Sequence, residues 1–368
     1  NIMHALKRFG TAFGGYKMME NSPVPECGPD DIILEIKAAA ICGADMKHWG
    51  VDNGYDDTNI TPDQQQSVRG HEFAGEIVKV GENVKDWHIG QRVVSDNSAH
   101  VCGVCPACEQ GDFLCCEHKV NLGLDNNTWG GGFSKYCKVP GEILAIHKHA
   151  IWEIPEGIKY EEACVLDPIC NAYKAVAQQS HLIPGQDVVV FGTGPLGLFS
   201  VQVAKLMGAV NIVMVGLDDD VKVRFGVAKE LGATHCVNGS KEDVVARCTE
   251  ICGRDNLGLV IECSGANIAL KQAIEMTRPN AEIVRVGMGF KPLEFSINDI
   301  TAWNKSIIGH MAYDSTSWRN CIRLLQSGQI KVQPMITHRL GLSQWQEGFD
   351  KMAKKEAIKV IFHYDYED

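Results

Sequence analysis

The sequence predicts an α/β protein with two domains, a β-rich, barrel-like domain followed by a domain built on a doubly wound parallel sheet. Three observations lead to this expectation. The 368 residues are too many for one ordinary core, short β-type runs fill the first part of the chain, and strands alternate with helices from about residue 156. We expect domains at 1–155 and 156–312, with a C-terminal segment, 313–368, that returns to the first domain.

The predicted elements follow from hydrophobic patterning and turn residues. In the first domain the loops between strands are long and carry Gly, Asp, Asn and Cys, which suggests insertions in a barrel. In the second domain 187–209 reads as a buried strand, a glycine turn and an amphipathic helix. Predicted strands lie at 30–42, 73–81, 91–96, 211–217, 257–265, 281–288 and 306–311, and helical patterns lie at 221–232, 267–277, 317–328 and 342–362, the last with a closing strand.

The composition is that of a globular protein. Hydrophobic residues make up 45% and charged residues 22%, and the formal net charge of −11 argues against a nucleic-acid partner. No apolar run reaches the roughly 18 residues that span a bilayer. The first ten residues, NIMHALKRFG, contain no apolar signal-peptide core. We therefore expect a cytoplasmic protein with neither a nucleic-acid nor a membrane partner.

A G-x-G-x-x-G pattern joins the first strand and helix of the second domain. The pattern alone is a weak sign, but an apolar strand precedes it and a helix follows at once, which is the context that dinucleotide binding requires. The glycines allow a tight turn, close approach of a pyrophosphate and close packing of the helix, whose N-terminus then faces the phosphates. We predict that a dinucleotide binds at Gly192, Thr193, Gly194, Pro195, Leu196 and Gly197.

The choice between NAD and NADP depends on the end of the second strand of this domain. Gly216 stands where an acid would bind the ribose hydroxyls of NAD, and three aspartates, of which we assign Asp218 to the cofactor, follow it. These carboxylates disfavour a 2′-phosphate, whereas Lys222 and Arg224 would tolerate one. The sequence favours NAD and leaves NADP open.

Five of the fifteen cysteines lie in the short segment CGVCPACEQGDFLCC, 102–116. An odd count in a reducing compartment excludes complete disulfide pairing. Four thiolates on a short loop can close a tetrahedron around Zn²⁺, whereas the alternative is a reactive or merely buried cluster. We predict a structural zinc at Cys102, Cys105, Cys108 and Cys116, although the spacing does not exclude Cys115 as the fourth ligand.

A second set of possible ligands is spread along the chain. Cys42 ends a predicted strand, His71 and Glu72 begin another, and Asp167 lies just before the second domain. The structural alternative is that Cys42 is a core residue and Glu72 a surface charge, and His71 alone would be weak evidence for a metal site. Together they can form an open site, with three protein ligands and one water or substrate oxygen, which is the pattern of a catalytic zinc.

Taken together, these motifs resemble the zinc-containing medium-chain alcohol dehydrogenases, especially the sorbitol (polyol) and threonine dehydrogenase branches. The resemblance covers nearly the whole chain and rests on CGADMKHWG, GHEFAGEIVKVG, the four-cysteine lobe, DPICNAYKA and FGTGPLG, in that order. It implies a GroES-like β-barrel-type domain that carries both zincs, a Rossmann domain that binds a nicotinamide cofactor, and an active site in the cleft between them. It also implies a homodimer or a homotetramer.

The resemblance assigns roles residue by residue. Ordinary ethanol-type members have a cysteine where this chain has Asp167, which points instead to the polyol and amino-alcohol branches. The implied roles are as follows: Cys42 and His71 as zinc ligands, Glu72 as a third ligand or a close neighbour, Asp167 beside the zinc directly or through water, Asn171 near the nicotinamide, and Arg224 near the adenosine ribose.

Two positions depart from the family. The family usually has Ser or Thr, which relays the alcohol proton, where this chain has Ala44, and many members have His where it has Lys47. The proton must therefore leave by another route. Lys47, His48, Glu72 and a water held by Asp167 are the candidates, although Lys47 and His48 would equally suit a solvated loop.

The predicted reaction is hydride transfer from a secondary alcohol carbon to the nicotinamide. The resemblance implies a polyol, a sugar or a sugar acid as the substrate. The polar segment 51–69 is either the substrate mouth or a plain surface loop. One alternative is L-threonine 3-dehydrogenase-like activity. Another is a catalytically inactive, cofactor-binding relative, which the missing hydroxyl at Ala44 would suit.

Overall fold

The computed structural model describes residues 1–9, 15–49, 66–126 and 128–368. Most of the segment 51–69, including its possible substrate mouth, therefore lies outside the described residues. The chain forms two compact units. Unit 1 comprises Asn1–Asp167, Asp314–Gln326 and Ile336–Asp368, and unit 2 comprises Pro168–Tyr313 and Ser327–Met335.

The strands, in chain order, are β1 (Ile2–Phe9), β2 (Tyr16–Pro23), β3 (Ile32–Ala40), β4 (Gln66–Val68), β5 (Glu72–Val80), β6 (Arg92–Ser95), β7 (Ser98–His100), β8 (Val120–Asn121), β9 (Tyr136–Val139), β10 (Ile151–Glu153), β11 (Val188–Phe191), β12 (Ile212–Gly216), β13 (His235–Asn238), β14 (Leu259–Glu262), β15 (Glu282–Arg285), β16 (Ser306–Gly309), β17 (Ile336–Gly341) and β18 (Lys359–His363).

The α-helices are α1 (Gly43–Trp49), α2 (Pro106–Glu109), α3 (Gly141–Ile146), α4 (Tyr160–Ala163), α5 (Leu166–Tyr173), α6 (Pro195–Leu206), α7 (Arg224–Leu231), α8 (Val244–Cys252), α9 (Asn267–Met276), α10 (Asn298–Ala302), α11 (Ser315–Gln326) and α12 (Trp345–Ala353). Short 3₁₀ turns connect several of them, and a π-helical turn at Lys174–Gln179 continues α5. None of the helices in the described part of the chain combines the length and the apolar character needed to cross a bilayer.

Unit 1 is built on a seven-stranded sheet in the order β10-β6-β5-β3-β18-β17, with β9 also paired to β3. Strands β3 and β5 run antiparallel, and β18 pairs antiparallel with β3. Phe73, Phe133, Phe349 and Phe362 are fully buried in its core, and the rings of Phe133 and Phe362 lie 5.5 Å apart. Burying each such ring stabilises the fold by about 1.5–3 kcal/mol. This packing fixes the ends of β3 and β5, where the candidate metal-binding side chains lie.

Unit 2 is built on a six-stranded parallel sheet in the order β13-β12-β11-β14-β15-β16. Counted from β11, this is the order 3-2-1-4-5-6 of the doubly wound dinucleotide fold. Three of the four inner strands, β11, β12 and β14, are buried along their whole length, as expected for a parallel sheet covered on both faces. The predicted fold class is confirmed.

Some element bounds differ from those predicted. The helix predicted at 221–232 begins only at Arg224, because a 3₁₀ turn at Asp218–Asp220 and a loop precede it. The strand predicted over 306–311 ends at Gly309. Aspartates bond to nearby backbone groups in non-helical conformations, which explains why the helix starts late.

Candidate active site and metal centres

Cys42, His71 and Glu72 meet where β3 ends and β5 begins. Because these strands are antiparallel and Ala40 pairs with Glu72, the residues that follow β3 lie beside those that begin β5. One possible ligand atom from each of the three side chains lies within 4.8 Å of the others. His71 and Glu72 are buried and Cys42 is half-buried. We call these three residues the open set.

Asp45 supports the open set from the first turn of α1. It is fully buried, and its Oδ2 accepts a hydrogen bond from the Cys42 backbone N–H at 2.9 Å. Its Oδ1 lies 3.8 Å from Nδ1 of His71, and neither of these two atoms has a hydrogen-bond partner among the described residues. A carboxylate on the Nδ1 side of the ring leaves Nε2 for a metal and fixes the ring orientation. Sequence analysis did not single out Asp45.

Glu72 has two different oxygens. Oε2 accepts a hydrogen bond from Nζ of Lys359, whereas Oε1 is buried and has no partner among the described residues. Burial raises the pKa of Glu72 well above its ordinary value, and the Lys359 ammonium opposes this rise. Burial by itself lowers the pKa of Lys359, but the charges of Glu72 and Cys42 outweigh burial and raise it. Lys359 therefore stays charged beside the open set.

Asp167 is buried near the open set but is not one of its three mutually close side chains. Its Oδ2 accepts a hydrogen bond from Nδ2 of Asn97 at 3.0 Å, and the same amide group donates to the His71 carbonyl at 3.3 Å. The negative charge of Asp167 contributes to the raised pKa values of both Cys42 and Glu72, after burial as the main cause. Asn97 adopts a left-handed backbone conformation, with φ of 59°, which asparagine tolerates well. Sequence analysis did not identify Asn97.

These residues fit a zinc ion. Burial raises the pKa of both the Cys42 thiol and the Glu72 carboxyl, and a bound cation would favour the ionised form of each. The unpartnered Oε1 of Glu72 lacks a positive partner, and a divalent cation would supply it. One thiolate, one imidazole and one carboxylate are ligands that zinc accepts, and three of them leave a fourth position open.

Lys47 and His48, two of the four candidates for the proton route, both lie on α1. Burial lowers the pKa of Lys47, and the Cys42 charge opposes this. Nδ1 of His48 accepts a hydrogen bond from the Arg69 guanidinium at 2.5 Å. Burial, followed by the charge of Arg69, lowers the pKa of His48 to about 2. His48 is therefore a neutral ring held by a cation, which makes it a poor proton carrier.

The four predicted cysteines of the lobe lie together, with their sulfur atoms all within 4.8 Å of one another. Cys102 Sγ accepts the Cys105 N–H at 3.3 Å, and Cys116 Sγ accepts the Cys102 N–H at 3.4 Å. Backbone hydrogen bonding, first from Val104, lowers the pKa of Cys102 to about 6, whereas burial raises that of Cys108 to about 12. Cys115 is exposed and lies outside this set. The donors fit a closed tetrahedral zinc.

In unit 2 the predicted cofactor turn joins β11 to α6. Gly192 has φ of 98°, a conformation that favours glycine, and a Cβ at this position would lie 2.9 Å from the Ser264 nitrogen. A Cβ on Gly197 would lie 1.8 Å from the Gly192 carbonyl oxygen. Gly194 precedes Pro195 at the start of α6, with open space where its side chain would be. The turn has the geometry that a pyrophosphate requires at a helix N-terminus.

The acid bonded to this turn is Asp220. Its Oδ1 accepts a hydrogen bond from the Thr193 hydroxyl at 2.7 Å, and its Oδ2 accepts the Leu217 N–H at 2.8 Å. Asp218 is exposed and accepts a hydrogen bond from Nδ2 of Asn238 at 2.7 Å. Burial lowers the pKa of Arg224, and the Asp220 charge opposes this. The assignments of Asp218 and Arg224 to the cofactor stay predictions.

Asn171 lies on α5 in unit 2. Its Oδ1 is 3.0 Å from Nε2 of His310, whose Nδ1 is 2.6 Å from Oε1 of Gln179. His310 follows β16, so the amide is held by a residue far along the chain. The predicted place of Asn171 beside the nicotinamide stays a prediction, and sequence analysis did not single out His310.

Known protein families match both halves of the chain. Residues 28–149 match the Alcohol dehydrogenase GroES-like domain, and residues 195–327 match the Zinc-binding dehydrogenase family. The uncharacterized zinc-type alcohol dehydrogenase-like protein YdjL of Escherichia coli K12 is 77% identical over 366 residues, with 100% of each chain covered. The chain belongs to the zinc-containing medium-chain alcohol dehydrogenases.

Two other relatives of this dehydrogenase have named activities. Sorbitol dehydrogenase of Halalkalibacterium halodurans is 30% identical, with 94% of this chain and 95% of that protein covered. L-Threonine 3-dehydrogenase of Rhizobium rhizogenes is 31% identical, with 99% of each covered. Both belong to the branches that the sequence resembles, and the predicted enzyme class is confirmed.

Solved structures support the same fold. The 2R,3R-butanediol dehydrogenase of Bacillus subtilis is 29% identical and superposes with a TM-score of 0.83, covering 99% of this chain and 100% of that one. A zinc-binding dehydrogenase of Sinorhizobium meliloti 1021, solved with NADP, is 26% identical with a TM-score of 0.83 and 99% coverage of both chains.

Proposed function

We propose that the dehydrogenase oxidises a secondary hydroxyl of a polyol, a sugar or a sugar acid to a ketone. The alcohol gives a hydride to NAD(P)⁺ and a proton to the protein, so the products are ketone, NAD(P)H and one proton. The observation that carries this proposal is the contrast between two ligand sets. The four-cysteine lobe offers a closed tetrahedron, whereas the open set offers only three ligands, with Asp167 nearby.

Zinc bound in the open set would act as a Lewis acid that polarises the hydroxyl oxygen and stabilises the negative charge that develops there. The chain's own residues would hold the ligands and keep the site dry. Asp45 orients His71, and Asn97 holds Asp167 against the His71 carbonyl. These contacts favour an active, preorganised metal site over a catalytically inactive one, because side chains that do not bind a metal need no partners to orient them.

We propose that Lys47 receives the alcohol proton, directly or through water. Ala44 has no hydroxyl to relay it. His48 is neutral and bonded to Arg69, whereas burial lowers the pKa of Lys47 toward the range in which an amine can act as a base. Lys47 is therefore better suited to the task than His48.

We propose NAD as the preferred cofactor, bound at the turn 192–197. The Asp220 carboxylate, fixed to Thr193, brings a negative charge to the Gly-rich turn and would disfavour a 2′-phosphate. NADP stays open, since the Sinorhizobium meliloti relative was solved with it. We keep 156–312 as the proposed cofactor domain, 1–155 as the catalytic domain and 313–368 as its C-terminal return.

We propose a cytoplasmic homodimer or homotetramer that acts on small molecules. Strand β16 is the outermost strand of its sheet, with Ser306 and Ile307 exposed, and the neighbouring Trp303 is 55% exposed. An exposed edge strand with apolar neighbours is a ready surface for a second copy of the same strand. Sedimentation of wild type and of an Ile307→Lys variant measures this contact, and an unchanged oligomer would exclude this edge.

The main experiment combines metal analysis with a substrate panel. We expect about two zincs per chain, as the two ligand sets imply. We also expect NAD(P)H formation with sorbitol, xylitol or sugar acids, and less with L-threonine. The 31% identity to an L-threonine 3-dehydrogenase makes threonine the second candidate. One zinc per chain, or no turnover with any member of the panel, would support an inactive cofactor-binding relative instead.

A further inference from the structure

One buried cation beside the open set, Lys359, has no role in the chemistry proposed above. It is the first residue of β18 and is 1% exposed. Because β18 pairs antiparallel with β3, with Ile361 opposite Ala40, the start of β18 lies beside the segment that follows β3. Nζ of Lys359 donates to the Ile41 carbonyl at 3.0 Å and to Oε2 of Glu72. The lysine is thus held against the residue that precedes Cys42.

The consequence of this pairing is that the two oxygens of Glu72 are not equivalent. Oε2 is held by Lys359, whereas Oε1 is buried and lacks a hydrogen-bond partner within the described ranges. A carboxylate oxygen of Glu72 lies within 4.8 Å of possible ligand atoms of Cys42 and His71. A buried carboxylate oxygen without a partner is costly, and the donor set around it fits a divalent cation.

We propose that Lys359 is a positioning residue that keeps Glu72 a weak, displaceable metal ligand. This inference rests on the proposed function, since it concerns the zinc that the open set would hold. With Oε2 committed to Lys359, Glu72 can turn only Oε1 toward the metal. Moving both oxygens would take the carboxylate away from the buried ammonium, which is strongly unfavourable. A position for the substrate oxygen is thereby kept available.

The sign of the effect follows from charge. The Lys359 ammonium repels a nearby divalent cation and neutralises part of the negative charge that attracts it. Lys359→Met removes both influences and frees both oxygens of Glu72. We therefore expect zinc to be held more tightly in Lys359→Met, with release slowed about tenfold or more, the scale on which partners of metal ligands alter affinity. We also expect turnover to fall, because Glu72 then competes with the substrate oxygen.

Zinc release into excess chelator measures the proposal without recourse to activity. Cys42→Ala identifies the catalytic-site phase, which it should abolish. We expect slower release from Lys359→Met and a wild-type rate from Lys359→Arg, which keeps the cation. In a Glu72→Gln background, Lys359→Met should slow release by much less than about tenfold, since only the direct repulsion between the ammonium and the cation is then removed. The visible spectrum of the cobalt-substituted protein should change with Lys359→Met and not with Lys359→Arg.

The proposal is overturned if Lys359→Met releases zinc at the wild-type rate or faster, which is what a purely structural role predicts. It is also overturned if the Glu72→Gln/Lys359→Met double variant releases zinc more slowly than Glu72→Gln alone by about tenfold or more, because the full effect would then not act through Glu72. This second comparison needs no single methionine variant, so it still decides the matter if Lys359→Met fails to fold. A wild-type protein with only one zinc would refute the proposed function, whereas two zincs with no Lys359 effect would refute this inference alone.

Discussion

Asp45→Asn tests whether Asp45 orients the ligand histidine. The carboxylate is fully buried, accepts the Cys42 N–H at 2.9 Å and places Oδ1 3.8 Å from Nδ1 of His71. Asparagine keeps the shape and one oxygen, but it replaces the other oxygen with an NH₂ group. If the oxygen keeps the Cys42 N–H, the NH₂ faces His71 and favours the tautomer protonated on Nε2, which cannot bind a metal.

The expected magnitude follows from the roles of the two oxygens. Replacing a carboxylate that orients a metal-binding histidine costs roughly 10–100-fold in metal affinity. At about 1.4 kcal/mol for each tenfold, this is about 1.4–2.8 kcal/mol. Oδ1 also lies 3.9 Å from Nη2 of the Arg69 guanidinium. In Asp45→Asn the NH₂ group would take the place of this oxygen beside the guanidinium, and the attraction to Arg69 would be lost. This second loss places the expectation in the upper half of the range.

Competition of the protein with a zinc-binding dye gives the affinity of the open set once Cys42→Ala has identified the phase that belongs to it. Asp187→Asn is the matched control, because Asp187 is a buried carboxylate of unit 2 that accepts the Asn211 N–H at 2.9 Å. We expect weaker zinc binding in Asp45→Asn and unchanged zinc binding in Asp187→Asn. Equal zinc affinities in wild type and Asp45→Asn would show that Asp45 does not orient His71.

Three further outcomes are expected. Gly197→Ala should abolish NADH binding, measured by fluorescence titration, because the new Cβ would lie 1.8 Å from a backbone carbonyl oxygen. Gly226→Ala in α7 is the control: its Cβ would meet nothing within 4 Å, so this variant should keep NADH binding. Cys116→Ser should lose one zinc per chain by metal analysis, whereas Cys115→Ser should keep it, since only the former is in the close set. The zinc affinity of the open set should rise with pH, because burial raises the pKa of Cys42 and zinc must displace the thiol proton. Zinc titration at several pH values checks this, and an affinity that does not change with pH would contradict it.

The parts of the site that sequence predicted are those set by local spacing. The cysteine interval places four sulfur atoms on one short loop, and the glycine turn lies between a buried strand and its helix. Cys42 and His71 lie at strand ends that the hydrophobic runs already indicated. In each case the residues that matter are neighbours along the chain or mark the end of an element, so patterning alone is sufficient.

The parts that sequence missed depend on partners chosen by the tertiary fold. Lys359 meets Glu72 across 287 positions of sequence, through the pairing of β18 with β3. Asn97, whose own φ is positive, donates to Asp167 across 70 positions of sequence. Of the aspartates after β12, Asp220 is the one bonded to Thr193, a choice made by the 3₁₀ turn and not by composition. The hydrophobic periodicity of the sequence does not indicate such contacts.

The absence of a hydroxyl at Ala44 leads to the last prediction, which concerns Lys47. If Lys47 takes the alcohol proton, activity must rise with pH as its ammonium, whose pKa burial lowers, gives up a proton. Lys47→Met should lower kcat by about 10²–10⁴, the usual contribution of a general base, and should remove this rise from the pH profile. Lys47→Arg should not rescue the rate, because a guanidinium does not lose its proton in this range.

His48→Gln is the matched control for Lys47, since it alters the next residue of α1, which Arg69 already holds as a neutral ring. We expect it to keep the pH profile of the wild type even if the rate changes, because a group with a pKa of about 2 does not titrate near neutrality. A pH profile that survives Lys47→Met but is lost in His48→Gln would assign the proton to the imidazole. In that case the hydrogen bond from Arg69 would have to break during turnover, and the buried guanidinium would become the group that needs a new partner.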